Sequence, residues 1–127
     1  MIKEDLVMVK GLQLWGTHGH WPEENKLGQK FIIDMEASVD MTGMCTTDKL
    51  ETGLSYGTLF KIATKIVTTE EHKLLQRIAQ RIAEEVIKAH PVKQIRVTVK
   101  KPSVAIGGIL DYTAVSIVRE PGDPTCK

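Results

Sequence analysis

The sequence predicts an α+β fold in which two strands, two helices and two further strands follow one another in a single domain. Three observations carry this prediction. Both ends of the chain alternate apolar and polar residues, the middle carries apolar residues at helical spacing, and 127 residues provide for one core rather than two. The ββααββ order suits a four-stranded antiparallel sheet with both helices on one face. We assign residues 1–120 to this domain and expect 121–127 to form a flexible tail.

The strands are predicted from a period of two. Residues 6–17 alternate loosely, whereas residues 30–41 alternate cleanly, with Ile32 as the one misfit. One face of this second strand carries Phe31, Ile33, Met35, Ala37, Val39 and Met41. Two more strands are predicted within "QIRVTVKKP" (94–102) and "DYTAVSIVRE" (111–120).

The two helices are predicted from apolar stripes at helical spacing. The first covers residues 56–69, after a Thr- and Gly-rich connection in 42–57. The second is predicted to follow "TTEEHK", with Thr68 and Glu71 forming a capping box, and Pro91 is predicted to end it after His90.

A four-stranded sheet leaves two strand edges unpaired. Exposed edges favour pairing with another chain, and closing several copies edge to edge into a β-barrel removes them. Topology therefore predicts a homo-oligomer, with binding pockets between subunits.

Composition excludes several classes of partner. The net charge is +1, with 42% hydrophobic and 26% charged residues, so we expect neither nucleic acid nor a membrane surface as partner. Lys3, Glu4 and Asp5 interrupt the N-terminus, which predicts no signal peptide and a cytoplasmic location. Cys45 and Cys126 lie far apart and are expected to be reduced thiols without a role.

The histidines offer only a weak indication of a metal site. His18 and His20 would share a face of an extended segment. A catalytic zinc ion usually has three protein ligands, and neither His72 nor His90 lies where a third strand-borne ligand is expected. We therefore expect no metal.

Four segments taken together resemble the dihydroneopterin aldolase family. They are "HGHWPEENKLGQKF" (18–31), "LSYGTLF" (54–60), "LLQRIAQRIA" (74–83) and "VTVKKP" (97–102). The most specific pieces are "G-x-H-G" at 16–19, "E-N-x-x-G-Q" at 24–29 and "S-Y-G" at 55–57, and "KPSVAIGGILDY" (101–112) resembles the plant-type version. The resemblance implies the tunnelling fold (T-fold), with four subunits closing a barrel, two rings commonly stacking into an octamer, and active sites at subunit interfaces.

The resemblance also implies a reaction in folate biosynthesis. The family cleaves 7,8-dihydroneopterin into 6-hydroxymethyl-7,8-dihydropterin and glycolaldehyde, with 2′-epimerisation as a companion reaction. The conjugated C=N unit of the dihydropterin can accept the electrons, so no cofactor is expected. The resemblance assigns general acid/base work to Lys101 through a bound water, proton transfer in a neighbouring subunit's pocket to Tyr56, and positioning of the lysine and water to Glu24.

At the pterin-anchoring position this chain has Gln76, where the family normally has a glutamate. The resemblance places Leu54, Leu74, Leu75 and His20 with it as further substrate-binding residues. A carboxylate matches the two adjacent N–H donors of a pterin, whereas an amide offers one acceptor and one donor. The mismatch should cost on the order of 2–3 kcal/mol, roughly 30- to 150-fold in affinity. Gln76 could therefore weaken pterin binding, mark a purine-like substrate, or be a deliberate change.

Three other functions compete with this interpretation. A zinc-dependent enzyme of the 6-pyruvoyl-tetrahydropterin synthase type would share "HGH" but needs another histidine upstream, which this sequence does not have. A dihydroneopterin triphosphate epimerase would need more basic residues than the loose candidates Lys26, Lys30, Lys73 and Lys100. A non-catalytic oligomeric binding protein is favoured by Gln76 but not by the combination of Glu24, Tyr56 and Lys101.

Overall fold

The computed structural model of the chain describes residues 5–50, 54–103 and 107–125. Its elements are β1 (Leu6–Gly16), α1 (Pro22–Leu27), β2 (Gln29–Ser38), α2 (Thr42–Thr47), α3 (Tyr56–Thr69), α4 (Leu75–Ala89), β3 (Gln94–Lys101) and β4 (Thr113–Arg119). The four strands form one antiparallel sheet in the order β1-β2-β3-β4. Helix α3 packs over β1, and α4 packs over β3 and β4. This confirms the predicted α+β fold.

The core lies between the two long helices and one face of the sheet. Alternation along β2 buries Phe31, Ile33, Met35 and Ala37 completely, as the period of two predicts. Strand β3 contributes Ile95, Val97 and Val99 to the same face, and α4 contributes Ile78, Ala79, Ile82, Ala83 and Val86. The second strand is shorter than predicted, because it ends at Ser38 rather than at Met41.

Helix α3 has its predicted bounds, and α4 follows "TTEEHK" as predicted, whereas the predicted capping box of Thr68 and Glu71 is wrong. The Ser55 side chain caps α3 by accepting a hydrogen bond from the Thr58 N–H at 3.3 Å. The Thr68 hydroxyl donates to the Thr64 carbonyl at 2.6 Å inside α3, so Thr68 does not cap the next helix. Helix α4 runs from Leu75 to Ala89, so it ends one residue before the predicted end at His90.

Two short helices were not predicted. Helix α1 lies in the loop between β1 and β2, and Pro22 occupies its first position, where a missing N–H costs nothing. Helix α2 lies in the predicted connection and ends at Asp48, which adopts a left-handed conformation with φ 60°. Each has only six residues, too few to show a hydrophobic period.

The other face of the sheet carries several polar pairs. Lys100 pairs with Asp34 at 2.9 Å, and the Thr98 hydroxyl donates to the Ser116 hydroxyl at 3.0 Å. Strands β1 and β4 are the edges of the sheet in the described part of the chain. Closure of these edges into an oligomeric barrel stays a prediction.

The ends of the chain are only partly described. In the tail, Gln80 Nε2 donates to the Thr125 carbonyl at 2.6 Å, and the flexibility of residues 121–127 stays a prediction. Lys3, Glu4 and Cys126 lie outside the described residues, and Cys45 is an exposed free thiol. None of the helices in the described ranges has both the length and the apolar character that a membrane crossing requires.

Candidate active site

An ion pair between Glu24 and Lys101 forms the centre of the candidate site. Glu24 lies on the first turn of α1, and Lys101 is the last residue of β3, where its Nζ contacts Glu24 Oε2. Gln29 Nε2 donates to the same carboxylate oxygen at 2.7 Å, and the Trp21 N–H donates to Oε1 at 3.3 Å. The side chains of Lys101 and Glu24 are only 13% and 18% exposed, so solvent screens this pair weakly.

The environment keeps the Glu24 carboxylate ionised. Burial acts to raise the pKa of Glu24, but the hydrogen bonds from Lys101, Gln29 and the Trp21 backbone outweigh burial. The pKa of Glu24 is therefore lower than that of an ordinary glutamate. A carboxylate that is ionised at neutral pH is suited to hold an ammonium group in place.

A cavity of about 1200 Å³ opens beside this ion pair. Exposed apolar groups form part of its wall, with Trp15 and Trp21 each 61% exposed and Leu27 75% exposed. The lining residues are Trp15, Trp21, Glu23, Glu24, Leu27, Gly28, Gln29, Lys30, Lys101, Pro102 and Ser103. Flat aromatic walls with a few charged groups are typical of a site for a small heterocyclic molecule.

The motif around Glu24 holds the loop in shape. Gly19 has φ +150°, and a Cβ there would lie 2.6 Å from Glu24 Cβ, so only glycine leaves room for the carboxylate side chain. Asn25, with its amide group oriented toward the loop, donates from Nδ2 to the carbonyls of Thr17 at 2.9 Å and Gly19 at 3.0 Å. Glu24 thus faces the cavity while its neighbour fastens the preceding loop.

Strand alternation separates the two consecutive lysines. Lys100 lies on the polar face of the sheet, where it pairs with Asp34 and lies 5.0 Å from the centre of the Tyr112 ring. The hydrogen bond to Asp34 raises the pKa of Lys100. Of the two lysines, Lys101 lines the cavity, as the family pattern had implied.

The structure does not bring Tyr56 to the Glu24–Lys101 cavity of the same chain. Tyr56 is 72% exposed at the start of α3 and lines a separate apolar hollow of about 250 Å³, together with Met41, Met44 and Leu50. Leu54 borders the same hollow but is 3% exposed and packs in the core. The predicted roles of Tyr56 and Leu54 stay predictions.

The remaining predicted binding residues lie near the start of α4 and in the β1–α1 loop. Gln76 is exposed in the first turn of α4, Leu74 is 54% exposed and Leu75 is half-buried. His20 is exposed and packs edge-on against Trp21 at 5.2 Å between ring centres. The two segments meet where the Gly19 N–H donates to the His72 carbonyl at 2.9 Å. None of these four side chains lines the Glu24–Lys101 cavity.

The two motif histidines have different surroundings. Both ring nitrogens of His18 bond to backbone groups, whereas His20 is exposed. Within the described ranges, His, Cys, Asp and Glu side chains form no group of three or more that could hold a metal ion.

Comparison with known proteins decides the family. The family model described as dihydroneopterin aldolase matches residues 7–118. The chain belongs to the dihydroneopterin aldolase family. Among relatives, it is 40% identical to the dihydroneopterin aldolase of Bacillus subtilis (strain 168) over 117 residues, covering 91% of this chain and 98% of that protein. It is 37% identical to dihydroneopterin aldolase 1 of Arabidopsis thaliana over 118 residues, covering 91% and 81% respectively.

Solved structures of dihydroneopterin aldolases share the fold. The Escherichia coli enzyme in complex with neopterin superimposes with a TM-score of 0.83 at 23% identity, covering 91% of this chain and 98% of that one. A Burkholderia dihydroneopterin aldolase bound to guanine gives a TM-score of 0.75 at 18% identity, covering 92% and 91%. At these identities the likeness establishes the tunnelling fold of the family.

Sequence reasoning did not assign roles to several residues that build the site. Gln29 and Asn25 lie inside the "E-N-x-x-G-Q" motif, yet only the structure shows that one holds the Glu24 carboxylate and the other the loop. Trp15 and Trp21 were not predicted to line a cavity, and their exposure is visible only in the structure. The "E-N-x-x-G-Q" motif was the sequence signal that could have identified Gln29 and Asn25.

A second ion-pair network supports the connection that leads to Gln76. Arg81 donates from Nε and Nη2 to the two oxygens of Glu70, each at 3.0 Å, and Glu70 Oε1 lies 2.8 Å from His72 Nε2. The hydrogen bonds from Arg81, more than those from His72, lower the pKa of Glu70 from an ordinary 4.5 to about 2. This network fixes the segment between α3 and α4.

We expect the Glu70→Gln variant to lose stability at neutral pH and to lose less on acidification. A carboxylate whose pKa is lowered on folding contributes stability that is complete above its unfolded pKa and disappears as the pH falls through the folded value. The variant should lose about 1–2 kcal/mol of unfolding free energy at pH 7. Between pH 4.5 and 2, the wild type should lose stability more steeply than the variant. Urea denaturation at fixed protein concentration measures both.

Glu71→Gln is the matched control, because Glu71 is exposed and has no ion pair within the described part of the chain. It should follow the wild-type pH dependence. If the unfolding free energy of the wild type and of Glu70→Gln fell equally steeply between pH 4.5 and 2, the stabilising role of the Glu70 carboxylate would be contradicted.

Proposed function

We propose that the protein is a dihydroneopterin aldolase, cleaving 7,8-dihydroneopterin into 6-hydroxymethyl-7,8-dihydropterin and glycolaldehyde in the cytoplasm. The observation that supports this most is the Glu24–Lys101 pair beside an aromatic-walled cavity, in a chain that matches the family over residues 7–118. The same pair of residues would also catalyse epimerisation at C2′ as a companion reaction.

The reaction requires a proton acceptor and a proton donor at fixed positions. Breaking the C1′–C2′ bond removes a proton from the C2′ hydroxyl, and the bonding electrons move into the conjugated C=N unit of the ring. A proton delivered to C1′ then completes the hydroxymethyl product. Lys101 would exchange these protons through a bound water, and Glu24 would hold the ammonium group in position, since Lys101 Nζ contacts Glu24 Oε2.

A second copy of the chain would complete the site. Tyr56 is exposed and lines a separate hollow rather than the Glu24–Lys101 cavity of its own chain, so we assign it to the cavity of a neighbouring subunit. The exposed wall of Trp15, Trp21 and Leu27 is an apolar surface that such a neighbour would cover. Pairing of the open β1 and β4 edges into a tetramer, or a stacked octamer, would bring these surfaces together.

Replacing Lys101 tests its catalytic role. We expect Lys101→Ala to lower kcat by roughly 10²- to 10⁴-fold, the usual contribution of a general acid/base, while the Kd for neopterin changes only a few-fold. Product is followed by chromatography after incubation with 7,8-dihydroneopterin, with and without chelator, and the chelator should have no effect.

Lys100→Ala is the matched control, because that lysine lies on the opposite face of the sheet and pairs with Asp34. It should keep near wild-type turnover. Unchanged turnover in Lys101→Ala would eliminate Lys101 as the proton carrier.

Gln76 decides between the aldolase and a related enzyme for another heterocycle. An exposed amide offers one donor and one acceptor, whereas a pterin edge presents two donors. We expect Gln76→Glu to lower the KM for 7,8-dihydroneopterin by roughly 30- to 150-fold. This is the affinity that an amide is expected to lose relative to a carboxylate at the pterin-anchoring position. Steady-state kinetics measure this change.

Gln13→Glu on β1 controls for the added charge, since Gln13 is also exposed. It should leave KM unchanged. If the wild type forms no product and Gln76→Glu does, the scaffold is an aldolase scaffold and the natural substrate is another heterocycle, such as a purine. A KM unaffected by Gln76→Glu would remove Gln76 from the pterin site.

A further inference from the structure

His18 is a buried histidine whose two ring nitrogens both bond to the backbone of other segments. Its side chain is among the largest fully buried ones, at 1% exposure. His18 Nε2 lies 2.7 Å from the Val67 carbonyl, and the His72 N–H donates to His18 Nδ1 at 3.0 Å. A backbone N–H can only donate, so Nδ1 is the acceptor and Nε2 carries the hydrogen. The ring is therefore a neutral Nε2–H tautomer.

These bonds join three parts of the chain. His18 belongs to the loop after β1, Val67 to the last turns of α3, and His72 to the segment that leads into α4. A second link runs in parallel, because the Gly19 N–H donates to the His72 carbonyl at 2.9 Å. Gln29 Nε2, which holds Glu24, also reaches the His18 carbonyl at 3.4 Å.

The bonds of His18 therefore connect the loop that carries Glu24 to the segment that leads to Gln76, the proposed pterin anchor. Glu24 follows His18 by six residues and faces the cavity, while Gln76 follows His72 by four residues at the start of α4. The geometry points to His18 as a positioning residue that, in its neutral form, locks the Glu24 loop to the start of α4 and releases it when protonated. This inference deepens the proposed function and rests on it for the identity of the ligand.

The surroundings of the ring favour the neutral form. From β2, Phe31 packs edge-on at 5.3 Å, and the His72 ring stacks at 5.7 Å with an angle of 7° between the planes. Burial lowers the pKa of His18, and the nearby His72 acts in the same direction. The hydrogen bond to the Val67 carbonyl and the carboxylates of Glu71 and Glu70 oppose this, and Arg81 from α4 pairs with Glu70. The net shift is downward.

Protonation removes one of the two bonds outright. A hydrogen on Nδ1 would point at the His72 N–H, so that contact becomes a repulsion between two donors. Because the pKa of His18 is lowered on folding, its contribution to stability is complete above the ordinary value of 6.5 and is lost as the pH falls through the folded value. The pKa of Glu24 lies below its own ordinary 4.5, so pH 5–8 reports on histidine rather than on this carboxylate.

The test compares neopterin binding from pH 8 to pH 5 in the wild type, His18→Gln and His90→Gln. Glutamine can donate to Val67 and accept from His72 at every pH. We expect the wild-type Kd to rise as the pH falls through the folded pKa of His18, by up to roughly tenfold, the effect of one lost buried hydrogen bond, and the Kd of His18→Gln to stay flat. His90→Gln, at the other end of α4, should keep the wild-type pH dependence. A wild-type pH dependence that persists in His18→Gln would overturn the inference.

Two measurements on the wild type need neither ligand nor variant. The ¹⁵N shifts of the histidine rings should show His18 as the Nε2–H tautomer at pH 8. Amide hydrogen exchange at Gly19 and His72, corrected for the intrinsic pH dependence, should lose protection as His18 is protonated. An Nδ1–H tautomer, or protection that is unaffected by that titration, would contradict the lock. Absence of neopterin binding at every pH would instead count against the proposed function. The ¹⁵N shifts and the amide exchange would still test the role of His18, because they need no ligand.

Discussion

The ion pair between Glu24 and Lys101 is the constraint on which the rest of the site depends. Lys101 is placed by the sheet, because it pairs with Thr113 of β4 in the antiparallel register of β3 and β4. Glu24 is placed by a six-residue helix in a loop, which has no core of its own. The buried Gln29 at the start of β2 joins these two sources of position by donating to the carboxylate that contacts the lysine.

Much of the family motif therefore supports two charged groups. Gly19 leaves space for the Glu24 side chain, Asn25 ties down the loop carbonyls, and His18 anchors the loop to α3 and to the start of α4. A loop with little apolar burial needs such polar fastening, since its backbone ordering costs about 1–2 kcal/mol per residue. The motif is long because several of its residues are needed to hold the loop, by hydrogen bonds to the loop itself and to other segments.

The predictable part of the structure was the part with a hydrophobic period. Helix α3 and strand β3 have that period, and their predicted positions are confirmed. The capping box at Thr68 and Glu71 matched a local pattern, but burial of Ile66 and Val67 carries α3 through Thr69. Helices α1 and α2 are too short to show a period.

For the site, the resemblance singled out Glu24 and Lys101 and implied that Glu24 positions the lysine; the structure places the two groups in contact, and the support from Gln29 emerged only there. A double-mutant cycle on kcat/KM for 7,8-dihydroneopterin, with Glu24→Gln, Lys101→Met and the double variant, tests most directly whether Glu24 acts through Lys101. The account predicts strong coupling, with the double variant scarcely slower than Lys101→Met alone, because Glu24 has no lysine left to position. A double variant whose loss of transition-state stabilisation equals the sum of the two single-variant losses would contradict it.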